Sequence, residues 1–232
     1  AYADYVGTCV ERDVRQLSMV RDLSLFQKFV GLCAGRIGQL LNLESLGNDT
    51  GIAQATAREW LSLLEASYLV FRLPPFFRNI SKRLVKSPKL YFYDVGLAAY
   101  LIGITEPRQV RTHPLRGMLY ENMVVAEVFK HFLNRGRRPR LFFYRDSNGN
   151  EIDLLVPRGE AWVPIEIKAA ATVNPAFFKG IERFTQAVPE TADPMLVYDG
   201  DEDRTQRGIH VLNAGNLPSA LARTCGEERR DT

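Results

Sequence analysis

Four charged residues stand where the sequence otherwise predicts buried apolar surface. They are Glu121, Asp153, Glu166 and Lys168. Successive side chains of a β-strand alternate between its two faces, so in the segment 162–168 Glu166 and Lys168 share one face and the aliphatic residues occupy the other. An ionised carboxylate in a half-buried position is costly unless it is paired or binds a metal ion. The pattern therefore predicts that these acids have a partner.

Two predicted strands and one predicted helix must position these residues. Alternation and turn residues predict strands over 150–156 and 162–168, joined by a turn at 157–160. Helical spacing of apolar residues over 117–133 places Glu121 at the centre of the apolar stripe. Three acids gathered in this way could share a divalent cation, and oxygen ligands favour Mg²⁺ or Mn²⁺. Zinc is disfavoured because His131 is the only nearby His or Cys in the sequence.

This order of residues resembles the PD-(D/E)xK nuclease superfamily. The helical Glu121 is followed by Asp153 on one strand and by Glu166-Ile167-Lys168 on the next. The proline of the superfamily name is absent, since Ile152 precedes Asp153. The resemblance implies four catalytic residues: Glu121, Asp153, Glu166 and Lys168. It also implies that the three acids hold Mg²⁺ or Mn²⁺ and that the lysine positions or activates the attacking water.

A wider resemblance covers nearly the whole chain. The segments 11–15, 90–97, 113–117 and 143–153 are similar to the C-terminal region of an uncharacterised prokaryotic family of AAA-type ATPases. The resemblance implies an ATPase module preceding this region. The phosphate-binding pattern Gly-x-x-x-x-Gly-Lys-Ser/Thr does not occur in the 232 residues, so no ATP site is expected in this chain.

Composition predicts a folded protein in a reducing compartment. The chain is 46% hydrophobic and 25% charged, which favours packed cores. It contains neither a long apolar run nor a signal-peptide pattern at its start, so we expect a soluble, cytoplasmic protein that does not enter a membrane. The three cysteines are scattered, which disfavours a disulfide framework or a Cys-rich metal site.

The sequence predicts an α+β or α/β architecture with two domains. We expect a linker helix from the ATPase module over 1–22, a helical winged-helix-like domain over 23–104 and a linker over 105–114. A restriction-endonuclease-like α/β domain with a central mixed sheet should follow over 115–225. The residues 226–232 are predicted to be a disordered tail.

The candidate nucleic-acid contacts combine a predicted helix with basic loops. A helix, turn and helix over 43–67, followed by two strands around a basic loop, outline a winged helix. The candidate contacts are Gln54, Arg58, Arg78, Lys82, Arg83, Lys86, Arg137 and Arg138. Arg145 is a further candidate for contact with phosphate, whereas Tyr144 is favoured as a core residue. A winged helix that contacts protein instead of DNA carries equal weight.

Two functions follow from these observations. In the first, the chain binds DNA and hydrolyses phosphodiester bonds with a divalent metal ion. In the second, Lys168 merely neutralises Asp153 or Glu166, no metal binds, and the chain is a target-recognition and protein-interaction module that regulates an associated ATPase. The nucleic-acid substrate and self-association of the chain are left open by the sequence.

Overall fold

The computed structural model describes Tyr2, Val20 and the residues 22–76 and 87–224. These residues form two compact units. The first comprises the described residues up to Arg72 and the segment Ser87–Asn122, and the second comprises residues 73–76 and 123–224, so that the boundary at Asn122/Met123 falls within a helix. Apart from Tyr2, Val20 and Asp22, the predicted linker helix 1–22 lies outside the described residues, as does the predicted tail 226–232. No helix in the described part of the chain has the length and apolar character needed to span a bilayer.

Three helices begin the first unit. They are α1 (Leu23–Ala34), α2 (Leu43–Thr50) and α3 (Gln54–Ala66). Asn42 caps α2 by accepting a hydrogen bond from the backbone N–H of Ser45 at 3.0 Å. Gly51 ends α2 with a φ of +92°, a left-handed conformation in which glycine carries no steric penalty. The helix–turn–helix predicted from the sequence is therefore confirmed.

A two-stranded sheet and two short helices complete the first unit before the long helix. The strands are β1 (Val70–Leu73) and β2 (Lys89–Phe92), and the helices are α4 (Val95–Leu101) and α5 (Pro107–Val110). The core consists of large apolar side chains from the helices and the sheet, among them Phe26, Phe29, Trp60, Leu64, Leu90 and Phe92. The predicted linker 105–114 contains the single turn α5.

The helix α6 (Arg116–Leu133) contributes residues to both units. Asn122 is fully buried in the first unit, where its side-chain amide pairs with the backbone of Phe92. The backbone N–H of Phe92 donates to Asn122 Oδ1 at 2.7 Å, and Asn122 Nδ2 donates to the carbonyl oxygen of Phe92 at 2.9 Å. These two bonds fix the first half of α6 against β2.

The second unit contains a six-stranded mixed sheet. Its strands are β3 (Phe142–Arg145), β4 (Glu151–Arg158), β5 (Ala161–Lys168), β6 (Met195–Tyr198), β7 (Arg204–Gln206) and β8 (Ile209–Asn213). The spatial order is β3-β4-β5-β6-β8-β7. The strands β3, β4 and β5 are antiparallel, β5, β6 and β8 are parallel, and β7 is antiparallel to β8. An α+β fold with a central mixed sheet is thus confirmed.

Two helices accompany this sheet in addition to the second half of α6. A 3₁₀ turn (Pro175–Phe178) leads into α7 (Lys179–Ala187), and α8 (Leu217–Thr224) ends the described part. The helix α7 packs on β4 and β5 and buries Ile181 and Phe184. The helical segment therefore begins with a 3₁₀ turn at Pro175 and ends at Ala187.

The chain just after β1 belongs to the second unit. The backbone N–H of Phe76 donates to the carbonyl oxygen of Phe143 at 2.6 Å, and the N–H of Phe143 donates to the carbonyl oxygen of Pro74 at 3.0 Å. Pro75 and Phe143 form a parallel bridge at the β3 edge of the six-stranded sheet. The sequence assigned this segment to the winged-helix-like domain, whereas the structure groups it with the second unit.

Candidate functional site

Asp153 and Glu166 face each other across the antiparallel strands β4 and β5. In the register of these strands Leu154 lies opposite Ile165, so Asp153 and Glu166 stand one position further along. Each of the two residues is 8% exposed, although both carry carboxylates. We call these two residues the acid pair. Lys168 contributes the nearest cation, with Nζ 2.6 Å from Glu166 Oε1 and 3.7 Å from Asp153 Oδ2.

The carboxylate of Asp153 also substitutes for a missing backbone acceptor. The regular pairing of β4 with β5 ends at Leu154 and Ile165. Beyond that point the backbone N–H of Ile167 donates to Asp153 Oδ2 at 2.8 Å. This charge-assisted bond fixes the rotamer of Asp153 and leaves its other carboxylate oxygen for a ligand.

Glu166 has one satisfied and one unsatisfied oxygen. Its Oε1 accepts from Lys168, whereas its buried Oε2 has no hydrogen-bond partner among the described residues. Gly180 on α7 lies over this oxygen: a Cβ at position 180 would meet Glu166 Oε2 at 3.4 Å and the carbonyl oxygen of Glu151 at 3.0 Å. A buried polar atom without a partner costs free energy, so this oxygen is available to a cation.

The environment of Glu166 disfavours its ionised form. Burial, followed by the charge of Asp153, raises the pKa of Glu166 from 4.5 to about 8, and Lys168 opposes part of this change. A carboxyl group with such a pKa retains its proton at neutral pH unless additional positive charge arrives. Perturbed carboxyl groups of this kind cluster at functional sites.

The oxygen ligands of the acid pair suit a hard divalent cation. Mg²⁺ is commonly bound by one or two carboxylates, and water and substrate phosphates complete its octahedral shell. Within the described residues no three side chains of His, Cys, Asp or Glu gather as a metal-holding group. The acid pair with the unsatisfied Oε2 of Glu166 fits such a cation, with the remaining positions left to water or phosphate.

Glu121, the third predicted ligand, lies in the first unit. Its Oε1 accepts from Tyr91 Oη at 2.5 Å and from Lys89 Nζ at 3.1 Å. Gly38, with a φ of +69°, lies against the same carboxylate, and a Cβ there would meet it at 3.4 Å. Glu121 faces the interior of the protein as predicted, and its partners in this unit are a buried lysine and a buried tyrosine. Its role as a metal ligand stays a prediction.

The structure describes four of the eight residues predicted to contact nucleic acid. Gln54 and Arg58 are exposed and lie four residues apart on α3, so they share one face of that helix. Arg137 and Arg138 are exposed in the loop between α6 and β3. Four residues of the basic loop, Arg78, Lys82, Arg83 and Lys86, lie outside the described residues.

Several residues that contact the predicted acids within each unit were not found from the sequence. Gly180 has no motif around it, and its importance comes from its contact with Glu166. Lys89 and Tyr91 carry no signal either, because their partner Glu121 lies about 30 residues away in the chain. The contact of Asn150 with Arg183 on α7 carries no sequence signal, because the two residues lie 33 positions apart in the chain. Tyr144 is partly buried and packs edge-on against Phe184 at the margin of the core.

Comparisons with known proteins match both halves of the chain to families without an assigned function. Residues 1–108 match a domain of unknown function, DUF8612, and residues 116–217 match a second, DUF4143. DUF4143 is a domain known to be associated with AAA-type ATPases. Uncharacterised proteins of Mycobacterium bovis and Mycobacterium tuberculosis are each 30% identical over 168 residues. That stretch covers 72% of this chain and 37% of the length of each relative. No solved structure matches the chain.

Proposed function

We propose that this chain is a DNA-binding, nuclease-like region of an AAA-type ATPase that hydrolyses phosphodiester bonds with a divalent metal ion. The observation that carries the proposal is the acid pair. Two buried carboxylates lie on adjacent strands with Lys168 beside them, and one oxygen of Glu166 lacks a partner among the described residues. The match to DUF4143 supports the association with an ATPase.

Asp153 and Glu166 would hold Mg²⁺ or Mn²⁺, and Glu121 is the third candidate. When bound, the cation would supply polarisation of the scissile phosphate and acidification of a water molecule. The carboxyl group of Glu166 must lose its proton for this role, and its raised pKa means that ion binding releases that proton near neutral pH. Asp153 is already oriented by the N–H of Ile167.

Lys168 supplies a hydrogen-bond donor at the same place. Its ammonium group lies within 4 Å of both members of the acid pair and is about one third exposed. A lysine in that position can donate to a water molecule or to a phosphate oxygen that approaches the acid pair. Its charge also favours the developing negative charge of the transition state.

DNA would be bound by the predicted winged helix and by the basic loops. The exposed side chains of Gln54 and Arg58 share one face of α3, as base or backbone contacts require. Arg137 and Arg138 add exposed positive charge next to β3. The loop residues Arg78, Lys82, Arg83 and Lys86 complete the proposed contact set, and phosphate contacts of this kind depend on salt concentration.

A titration with Mn²⁺ and a DNA-nicking assay test this proposal together. Mn²⁺ binding is measured by electron paramagnetic resonance for the wild type, Asp153→Asn and Glu166→Gln, and nicking of supercoiled plasmid is followed in parallel. Each isosteric change removes one ionisable ligand, so we expect weaker Mn²⁺ binding and loss of nicking. Glu182→Gln is the matched control because Glu182 is a partly exposed acid paired with Arg207 in the same unit.

Retention of Mn²⁺ binding and nicking in both acid-pair variants would show that the activity comes from elsewhere. Absence of Mn²⁺ binding in the wild type would favour the second function, a non-catalytic recognition module for an ATPase. One observation favours that second function. Lys168 contacts both acids, and this ion pairing partly neutralises the acid pair without any metal ion.

A further inference from the structure

Arg183 on α7 is held beside the start of β4 by a polar turn. Its Nη1 donates to Asn150 Oδ1 at 2.5 Å. Asn150 Nδ2 in turn donates to Asp146 Oδ2 at 2.6 Å. The guanidinium group is therefore fixed through Asn150 to Asp146, a residue of the turn between β3 and β4.

The turn that carries Asn150 is itself well ordered by hydrogen bonds. Asp146 Oδ1 accepts from the backbone N–H groups of Asn148 and Asn150 at 2.8 and 2.9 Å, and Asp146 N–H donates to the carbonyl oxygen of Asn150 at 3.0 Å. Burial by itself would raise the pKa of Asp146, but these hydrogen bonds and the charge of Arg183 together outweigh it and lower that pKa. The carboxylate of Asp146 consequently remains charged and keeps Asn150 in place.

The position of Arg183 brings it near the acid pair. Gly180 lies three residues earlier on the same helix, and residues three apart lie on one face about 5 to 6 Å from each other. Gly180 contacts both Glu166 and the backbone of Glu151. Asn150, the partner of Arg183, directly precedes Glu151, and Asp153 follows two residues later. Arg183, Gly180 and the acid pair therefore belong to one neighbourhood within the second unit.

Most of the hydrogen-bonding capacity of Arg183 is unused. A guanidinium group has five N–H donors, and within the described residues Arg183 donates only to Asn150. The side chain is exposed. An exposed guanidinium with free donors and one anchored nitrogen is suited to a two-point contact with phosphate. Arg145 adds a second exposed guanidinium, which pairs with Glu151 at 3.6 Å.

We propose that Arg183 binds a backbone phosphate of the nucleic acid next to the acid pair, with Asn150 and Asp146 as its positioning residues. The proposal rests on the proposed function, since it assigns a phosphate contact of the same site. In this arrangement the anchored Nη1 keeps the guanidinium fork oriented, and the remaining nitrogens contact the phosphate oxygens. The contact places the nucleic-acid backbone at the start of β4, two residues before Asp153.

Fluorescence anisotropy with a short fluorescein-labelled DNA duplex, in the presence of EDTA, tests the contact without cleavage. We expect Arg183→Ala to weaken binding about tenfold and to reduce the salt dependence by about 0.9, the value for one lost phosphate contact. Arg183→Lys should restore the salt dependence but only part of the affinity, because lysine keeps the charge and lacks the planar fork. Asn150→Ala should weaken binding without changing the salt dependence, since the charge remains and only its orientation is lost.

Arg158→Ala is the matched control. Arg158 is an exposed arginine at the opposite end of β4, about 23 Å from Glu151 at about 3.3 Å per residue, and it is paired with Asp193. Its loss should leave affinity and salt dependence unchanged. Thermal melting of each variant confirms that the fold persists.

If Arg183→Ala binds DNA as tightly as the wild type, the assignment of Arg183 is overturned. The proposed function is unaffected by that result if Mn²⁺-dependent nicking persists. Weaker binding by Arg183→Ala together with no nicking by the wild type would support the phosphate contact and reject the nuclease function. Absence of wild-type binding to duplex, single-stranded and branched probes would overturn both proposals.

Discussion

Replacement of Glu166 by glutamine should remove a pH dependence of stability that this buried carboxyl group creates. The pKa of Glu166 is raised from 4.5 to about 8, with burial as the main cause and the charge of Asp153 as the second. The folded protein therefore binds more protons than the unfolded chain between these values. The contribution of Glu166 to the free energy of unfolding is therefore largest below pH 4.5, and it falls as the pH rises toward 8.

The magnitude follows from the difference between the two pKa values. Each pH unit between them removes about 1.4 kcal/mol from the free energy of unfolding, so a difference of about 3.5 corresponds to at most about 5 kcal/mol. Glutamine cannot ionise, so the variant should lack this contribution. At a pH of about 8 the variant should therefore be more stable than the wild type in EDTA, although it loses the ion pair with Lys168.

Urea unfolding measured at several pH values between about 5 and 8.5, in EDTA, gives the free energies of unfolding for both proteins. The control is Glu182→Gln, which removes a partly exposed acid in the same unit. Parallel curves for the wild type and Glu166→Gln would refute the reasoning, since they would show that Glu166 titrates normally in the folded protein. Addition of Mn²⁺ should restore stability to the wild type at high pH and stabilise the variant less, because the ion binds the ionised carboxylate of Glu166.

Three further predictions concern other parts of the protein. Lys168→Ala should retain Mn²⁺ binding but nick DNA more slowly, because the proposed role of Lys168 is to orient water and not to hold the ion. Single-turnover kinetics together with a Mn²⁺ titration check this. Asn122→Ala should lower the free energy of unfolding by about 2 to 4 kcal/mol, because it leaves the buried N–H and carbonyl groups of Phe92 without partners, and urea unfolding measures the loss. The double variant Lys82→Ala/Arg83→Ala should reduce the salt dependence of DNA binding by about two phosphate contacts, and an unchanged salt dependence would place these side chains away from DNA.

The hairpin that carries the acid pair could be predicted because its signals are local. Alternating apolar residues and a turn at 157–160 placed both strands within two residues of β4 and β5. The same alternation placed Glu166 and Lys168 on one face, which their 2.6 Å contact confirms. Helical spacing likewise predicted α6 and the inward direction of Glu121.

Other features depend on contacts between distant segments, which one sequence does not reveal. The partners of Glu121 come from β2, about 30 residues earlier, and only the tertiary fold brings them together. The strand β7 escaped prediction because Arg204–Gln206 is short, polar and at the sheet edge, where hydrophobic alternation is absent. The sequence does not distinguish Gly180 from other helical glycines, because its contact with Glu166 is made only in the folded protein.

The bond between Ile167 and Asp153 gives the protein a built-in spectroscopic reporter. The amide proton of Ile167 points at a carboxylate oxygen and not at a backbone carbonyl. Its nuclear magnetic resonance frequency is therefore sensitive to the electron density on that carboxylate, which any cation bound there would withdraw. A diamagnetic ion such as Mg²⁺ would shift this one amide signal at concentrations that match its occupancy of Asp153. Labelling isoleucine with ¹⁵N would follow the signal without any substitution in the acid pair.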